Sequence, residues 1–168
     1  YIEVDDMALS DKIIQKITWQ GAADSSAWSR GQAWGLYGFS MMYRFSKNRA
    51  YLEQARKIAA YILDHPHLPA DKIPYWDFQA PGIPDTYRDA SSACIIASAL
   101  LELAGYVKSS ERKKILKAAE AMIRTLASPA YRSAPGENGG FLIKHNVGSL
   151  PHKGEVDVSL TYADYYFI

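Results

Sequence analysis

The sequence predicts an all-α fold, a toroid of helical hairpins entered through a short N-terminal β-hairpin. Three observations predict it. Apolar residues recur at helical spacing through the middle of the chain. The helical segments come in pairs, one apolar on nearly every side followed by one with a wet face, and the pair repeats at an offset of about 63 to 65 residues. Connections inside a pair are short and those between pairs are long, so stacked pairs run their buried helices in the same direction.

The elements follow in order. Ile2 and Val4, then Ile13, Ile14 and Ile17, alternate weakly around the polar stretch Asp5 to Lys12, which reads as a hairpin. Ser26 to Phe45 is apolar and aromatic on nearly every side, as expected of a helix buried over most of its surface, and Gly31, Gly35 and Gly38 let neighbours approach. Tyr51, Ala55, Ile58 and Ile62 then mark a helix whose opposite face carries Glu53, Arg56 and Lys57. Ala90 to Tyr106 repeats the buried pattern, and Ile115, Ala119, Met122 and Leu126 repeat the amphipathic one. A third buried helix is expected to begin near Asp157, with Leu160, Ala163, Tyr166 and Phe167 as its stripe. Asp24, Asp89 and Asp157, each with a serine two residues on, are expected to cap the three buried helices.

The long connections, Asp64 to Arg88 and Ser128 to Val156, are rich in Pro, Gly, Tyr and His. In a toroid they share one face with the N-termini of the inner helices, and that face is where a site is expected. The helical stripe still runs at Ile168 without a C-cap signal, so two complete hairpins and part of a third are expected to form an open, half-built ring.

Composition narrows the function. With 48% hydrophobic residues the 168-residue chain can bury a core and lacks the signature of disorder. Lys and Arg number 19 against 18 Asp and Glu, with no long run of either sign, which argues against a nucleic-acid partner. No apolar stretch approaches the roughly 18 residues that span a bilayer, so no membrane segment is expected. The lone Cys94 lies in an apolar run and reads as a buried thiol. His65, His67 and His152 lack the spacing of metal ligands, so no zinc site is expected.

The segment from Trp19 to Trp34 concentrates three tryptophans, two glutamines and an arginine around a helix start. Two readings are open. Aromatic faces cover the C–H surface of a sugar, amides bond its hydroxyls, and an arginine holds a carboxylate by two parallel bonds. Equally, Trp28 and Trp34 can be core residues, with Arg30 paired to an internal acid.

The string Trp28-Ser29-Arg30-Gly31-Gln32-Ala33-Trp34, preceded by Gln20-Gly21 and Asp24, resembles the W-x-R-G-Q-A-W pattern of the unsaturated glucuronyl hydrolases of glycoside hydrolase family 88. The resemblance extends to Arg88 to Ala93, to Asn138-Gly139-Gly140-Phe141 and to the end from Glu155 to Phe167. It implies an (α/α)6 barrel, of which residues 1–168 would form the C-terminal portion, with the N-terminal half and extreme C-terminus outside this sequence. It further implies release of a 4,5-unsaturated uronic acid from the non-reducing end of lyase-generated oligosaccharides, by hydration of the vinyl ether. An acidic unsaturated oligosaccharide is then the partner, and Gln20, Trp28, Arg30 and Trp34 line its pocket. The two catalytic aspartates of that pattern lie upstream of the matching region, so no catalytic residue is expected here, and this segment alone is expected to be inactive. Asp24, Asp77, Asp89 and Asp157 read instead as cap or loop carboxylates. Trp76 and His145, in the long connections, are further candidates to edge the pocket, or else a loop anchor and a structural histidine. The competing functions are an unsaturated rhamnogalacturonyl hydrolase, whose usual pattern has W-G-R-G-N-G-W here, and a noncatalytic helical-repeat binding module. Location stays open between the bacterial cytoplasm and periplasm.

Overall fold

The structure, a computed structural model, describes residues 2–4 and 13–168. Strands β1 (Ile2–Val4) and β2 (Ile13–Lys16) pair antiparallel as the N-terminal hairpin, with Ile2 opposite Lys16. The stretch Asp5 to Lys12, expected to join them, lies outside the described residues.

Helix α1 (Ser29–Ser46) ends at Lys47, whose left-handed φ of 55° lets its N–H reach the Tyr43 carbonyl. Asn48 then caps α2 (Arg49–Asp64) by accepting from the Ala50 N–H at 3.0 Å. Helices α3 (Ala90–Leu103) and α4 (Ser109–Leu126) form the second hairpin. Beyond α4 come a short 3-10 turn at Asn138–Gly140, strands β3 (Asn146–Ser149) and β4 (Gly154–Val158), and helix α5 (Thr161–Phe167).

Three observations fix the arrangement. Ser29 and Ser92, at equivalent repeat positions 63 residues apart, bring their hydroxyls within 2.8 Å at the N-terminal ends of α1 and α3. Tyr43, in the last turn of α1, meets Tyr106, just past the end of α3, edge to face, so α1 and α3 run parallel. Helix α5 packs along the other side of α3, where Leu160 and Ala163 join Ala90, Ala93 and Cys94 in one apolar cluster. Outside them, α2 lies on α1 and α4 on α3. Arg56 ties these two outer helices together by gripping Glu53 and Glu111.

The core sits between the layers. Ile95, Ile96, Leu100 and Leu103 of α3 are fully buried against Leu36, Ala55, Ile62 and Met122. Each such side chain contributes about 1.5–3 kcal/mol by leaving water.

Three expectations need correcting. Helix α1 is not buried all round: five of its 18 residues are buried, against eleven of 14 in α3. Among the described residues α3 has inner neighbours on both flanks and α1 has one, and Met42 and Phe45 of α1 are exposed. Second, α1 begins at Ser29 and not Ser26, because Ala27 and Trp28 are drawn into strand-like pairing with the 76–78 loop. Phe78 donates to the Ala27 carbonyl at 3.0 Å, and Ser29 donates to that of Trp76 at 3.1 Å. Third, residues 154–158 pair with 146–149 as a β-hairpin, so the third inner helix waits until Thr161. Both shifts carry an expected aspartate cap away from its helix. Asp24 accepts from Thr18 N at 2.8 Å, and Asp157 meets His145. Asp89 alone of the three is a cap, accepting from Ser91 N at 3.1 Å.

Candidate active site

Both long connections lie against the N-terminal ends of α1 and α3. Asp77 is fully buried and gathers the first of them, accepting from Ala22 N, Ser26 Oγ and Gln79 N at 2.7–2.9 Å. The second returns as β3, whose flanking His145 carbonyl accepts from Ala90 N, the first residue of α3, at 3.0 Å.

Arg30, in the first turn of α1, sits at the centre of this face and is 2% exposed. Its Nη1 donates to Asp89 Oδ2 at 2.9 Å, to Ser91 Oγ at 3.3 Å and to the Val147 carbonyl. Its Nη2 donates to the Gly148 carbonyl at 2.5 Å. One face of the guanidinium lies 4.7 Å from the Trp28 ring centre, and Tyr162 of α5 lies 5.2 Å away. Both terminal nitrogens of Arg30 thus have partners within the chain. The internal-acid reading describes this geometry, because the buried charge is already met by Asp89 and two carbonyls.

Gln20 joins the same cluster. Its Nε2 donates to the Gly148 carbonyl at 2.9 Å, the oxygen that Arg30 also holds. Trp28 is half-buried, as is Trp34. The Trp34 ring lies edge-on to Tyr166 at 5.3 Å and tilted to Tyr162 at 6.3 Å, so α5 extends the aromatic wall begun by α1. Burial pushes the Tyr162 hydroxyl up to about 12, against the lowering influence of Arg30, so it stays protonated at working pH. Burial likewise pushes the Cys94 thiol up and leaves it no nucleophile.

Trp76 belongs to the first long connection. Its ring is 3% exposed and packs with Ala80 and Val147, anchoring the loop beneath β3. His145 is exposed, with Nδ1 2.7 Å from Asp157 Oδ1 and its ring edge-on to Tyr131. Sequence reasoning missed Tyr162 and the stack of Trp19 on His152, centres 4.8 Å apart, which joins the start of this face to the β3–β4 turn. Neither pairing leaves a local sequence signal, since each spans more than a hundred residues. Among the described residues no group of three or more His, Cys, Asp or Glu is placed to hold a metal ion. No described helix is long and apolar enough to cross a membrane.

Paired helices in two layers, with aromatic and amide side chains gathered at one end, define the class as a helical-hairpin protein, and comparison with known proteins narrows it. No protein-family model matches the chain. It is 42% identical to an unsaturated glucuronyl hydrolase of Formosa agariphila over 95% of its own length and 39% of the relative's. Its fold matches the crystal structure of an unsaturated glucuronyl hydrolase specific for heparin with a TM-score of 0.94 at 49% identity, covering 99% of this chain and 44% of that one. A Streptococcus agalactiae unsaturated glucuronyl hydrolase variant, complexed with dGlcA-GalNAc6S, matches with a TM-score of 0.82 at 29% identity, covering 93% of this chain and 41% of that one. The chain belongs to the unsaturated glucuronyl hydrolases, glycoside hydrolase family 88, and its helices are part of an (α/α)6 barrel. It spans about two fifths of the length of these relatives.

Proposed function

We propose that the full-length protein removes a 4,5-unsaturated uronic acid from the non-reducing end of acidic oligosaccharides, and that this chain supplies one wall of the binding site within a single barrel. The observation that carries the reading is the convergence of Gln20 and Trp28 on the Arg30–Gly148 cluster at the open end of the inner helices. The Trp28 and Trp34 rings offer apolar faces to the sugar. Gln20 spends an N–H on Gly148 and keeps its amide oxygen for a hydroxyl. Arg30 acts through these neighbours, and His145 stands at the rim.

The chemistry is hydration of the vinyl ether. An acid delivers a proton to C4, water adds its oxygen at C5, and the water's other proton passes to a base. The C5 hemiketal opens to a ketone by breaking its bond to the ring oxygen, and the hemiacetal uncovered at C1 expels the rest of the chain. Such work needs carboxyl groups free to exchange protons. Asp77 and Asp89 are fully buried and already bonded, while Asp24 and Asp157 are held by Thr18 N and His145. The family resemblance implies an acid and base in the remainder of the barrel, and residues 1–168 alone should be inactive.

The test is to incubate the full-length protein with an unsaturated uronyl disaccharide and follow the ultraviolet absorbance of its conjugated double bond. The reading expects absorbance to fall as one new reducing sugar appears per double bond lost. A folded protein that leaves the absorbance unchanged overturns it.

A further inference from the structure

Asp89 does more than its place at a helix start requires. Capping α3 takes one acceptor for the Ser91 N–H, which an asparagine or serine supplies as well. The carboxylate is nevertheless fully buried and bonded through both oxygens. Oδ1 accepts from Ser91 N, Ser91 Oγ and Val147 N at 2.6–3.4 Å, and Oδ2 accepts from Ser92 Oγ at 2.7 Å and from Arg30 at 2.9 Å. Only the last partner needs a charge. A guanidinium is planar, so bonds at two of its edges fix the orientation of its faces. Asp89 grips one edge and the Gly148 carbonyl another, and the plane so fixed carries Trp28 at 4.7 Å. The same Gly148 carbonyl orients the Gln20 amide at 2.9 Å.

We propose that Asp89 is a positioning residue of the sugar site: its buried carboxylate sets the Arg30 plane, and through it the Trp28 ring and the Gln20 amide. The inference rests on the function proposed above. Asp89 has no exposed surface, so its influence on binding passes through the groups it holds, and Arg30 is the one that reaches Trp28.

The experiment measures kcat and KM of the full-length protein with an unsaturated uronyl disaccharide. Asp89→Asn keeps the cap acceptor and the shape but removes the charge. Positioning predicts KM raised about tenfold with kcat changed by less than about threefold, the pattern of lost binding. A purely structural role lowers the folded fraction, and hence apparent kcat, with KM unmoved. Arg30→Met combined with Asp89→Asn covers the case in which a stranded guanidinium unfolds the single variant, since removing both charges leaves no lone buried charge. The double variant should melt near wild type and show the same rise in KM. KM within about twofold of wild type in either folded variant overturns the proposal, as does failure of both to fold, which would make the pair a folding element. An inactive wild type sinks the proposed function as well; an active wild type with an unmoved variant KM sinks this inference alone.

Discussion

Among the described residues two ion pairs bridge helices α1 and α3, Arg30 with Asp89 at their N-terminal ends and Arg44 with Glu102 at their C-terminal ends. The chemistry is the same, and the two helices are the same. The first pair has side chains 3% and 0% exposed at 2.9 Å, and the second 44% and 16% at 3.3 Å. Burial makes the first pair obligatory in both halves, because a single charge left there has no water to turn to. The second can lose a partner to solvent at little cost. The difference teaches that an ion pair's place in the ring, more than its geometry, decides whether it shapes a site.

The largest expected effect breaks the comparison at its buried end. Arg30→Ala in the full-length protein strands Asp89 and should cost about 3–5 kcal/mol, read as a large fall in melting temperature together with weakened substrate use. Loss of under about 1 kcal/mol would mean that water reaches Asp89 and that burial is not the deciding variable. At the other end, Arg44→Ala should cost only about 0.2–1 kcal/mol, with the difference from wild type shrinking further in high salt. Activity should be unchanged, which steady-state assays at saturating disaccharide will check.

The smallest effect concerns pH. Burial against Phe78 and Tyr61, with His67 beside it and Asp77 opposing, holds the His65 imidazole below its ordinary value of 6.5. A lowered value means that the unfolded chain takes up the proton first as pH falls. The neutral ring's contribution is thus present above 6.5 and lost as pH drops through the folded value. Melting curves should fall more gently with acid for His65→Gln than for wild type, and identical slopes would contradict the assignment.

Much of this molecule was legible in its sequence. The four long helices follow from periodicity, the hairpin repeat predicted inner and outer layers, and Asp89 was readable as a cap. What escaped detection was set by partners distant in sequence. The 76–78 loop delays α1, and the β3–β4 hairpin hides in a stretch where Lys153, Glu155 and Asp157 take left-handed φ values unusual for those residues. Arg30 illustrates the limit most clearly. Its residue type suits an external or an internal carboxylate equally, and the one it meets lies 59 positions away. The burial of α1 was overread because an apolar helix shows how much surface it can bury, not how many neighbours it has.

Hydration, as the central claim, can be tested directly by offering the full-length protein an unsaturated uronyl disaccharide and its saturated counterpart side by side. Protonation at C4 requires the double bond, so the account predicts that only the unsaturated sugar is cleaved, its absorbance vanishing as the reducing end appears. Cleavage of both at comparable rates would show ordinary attack at the glycosidic carbon and contradict it.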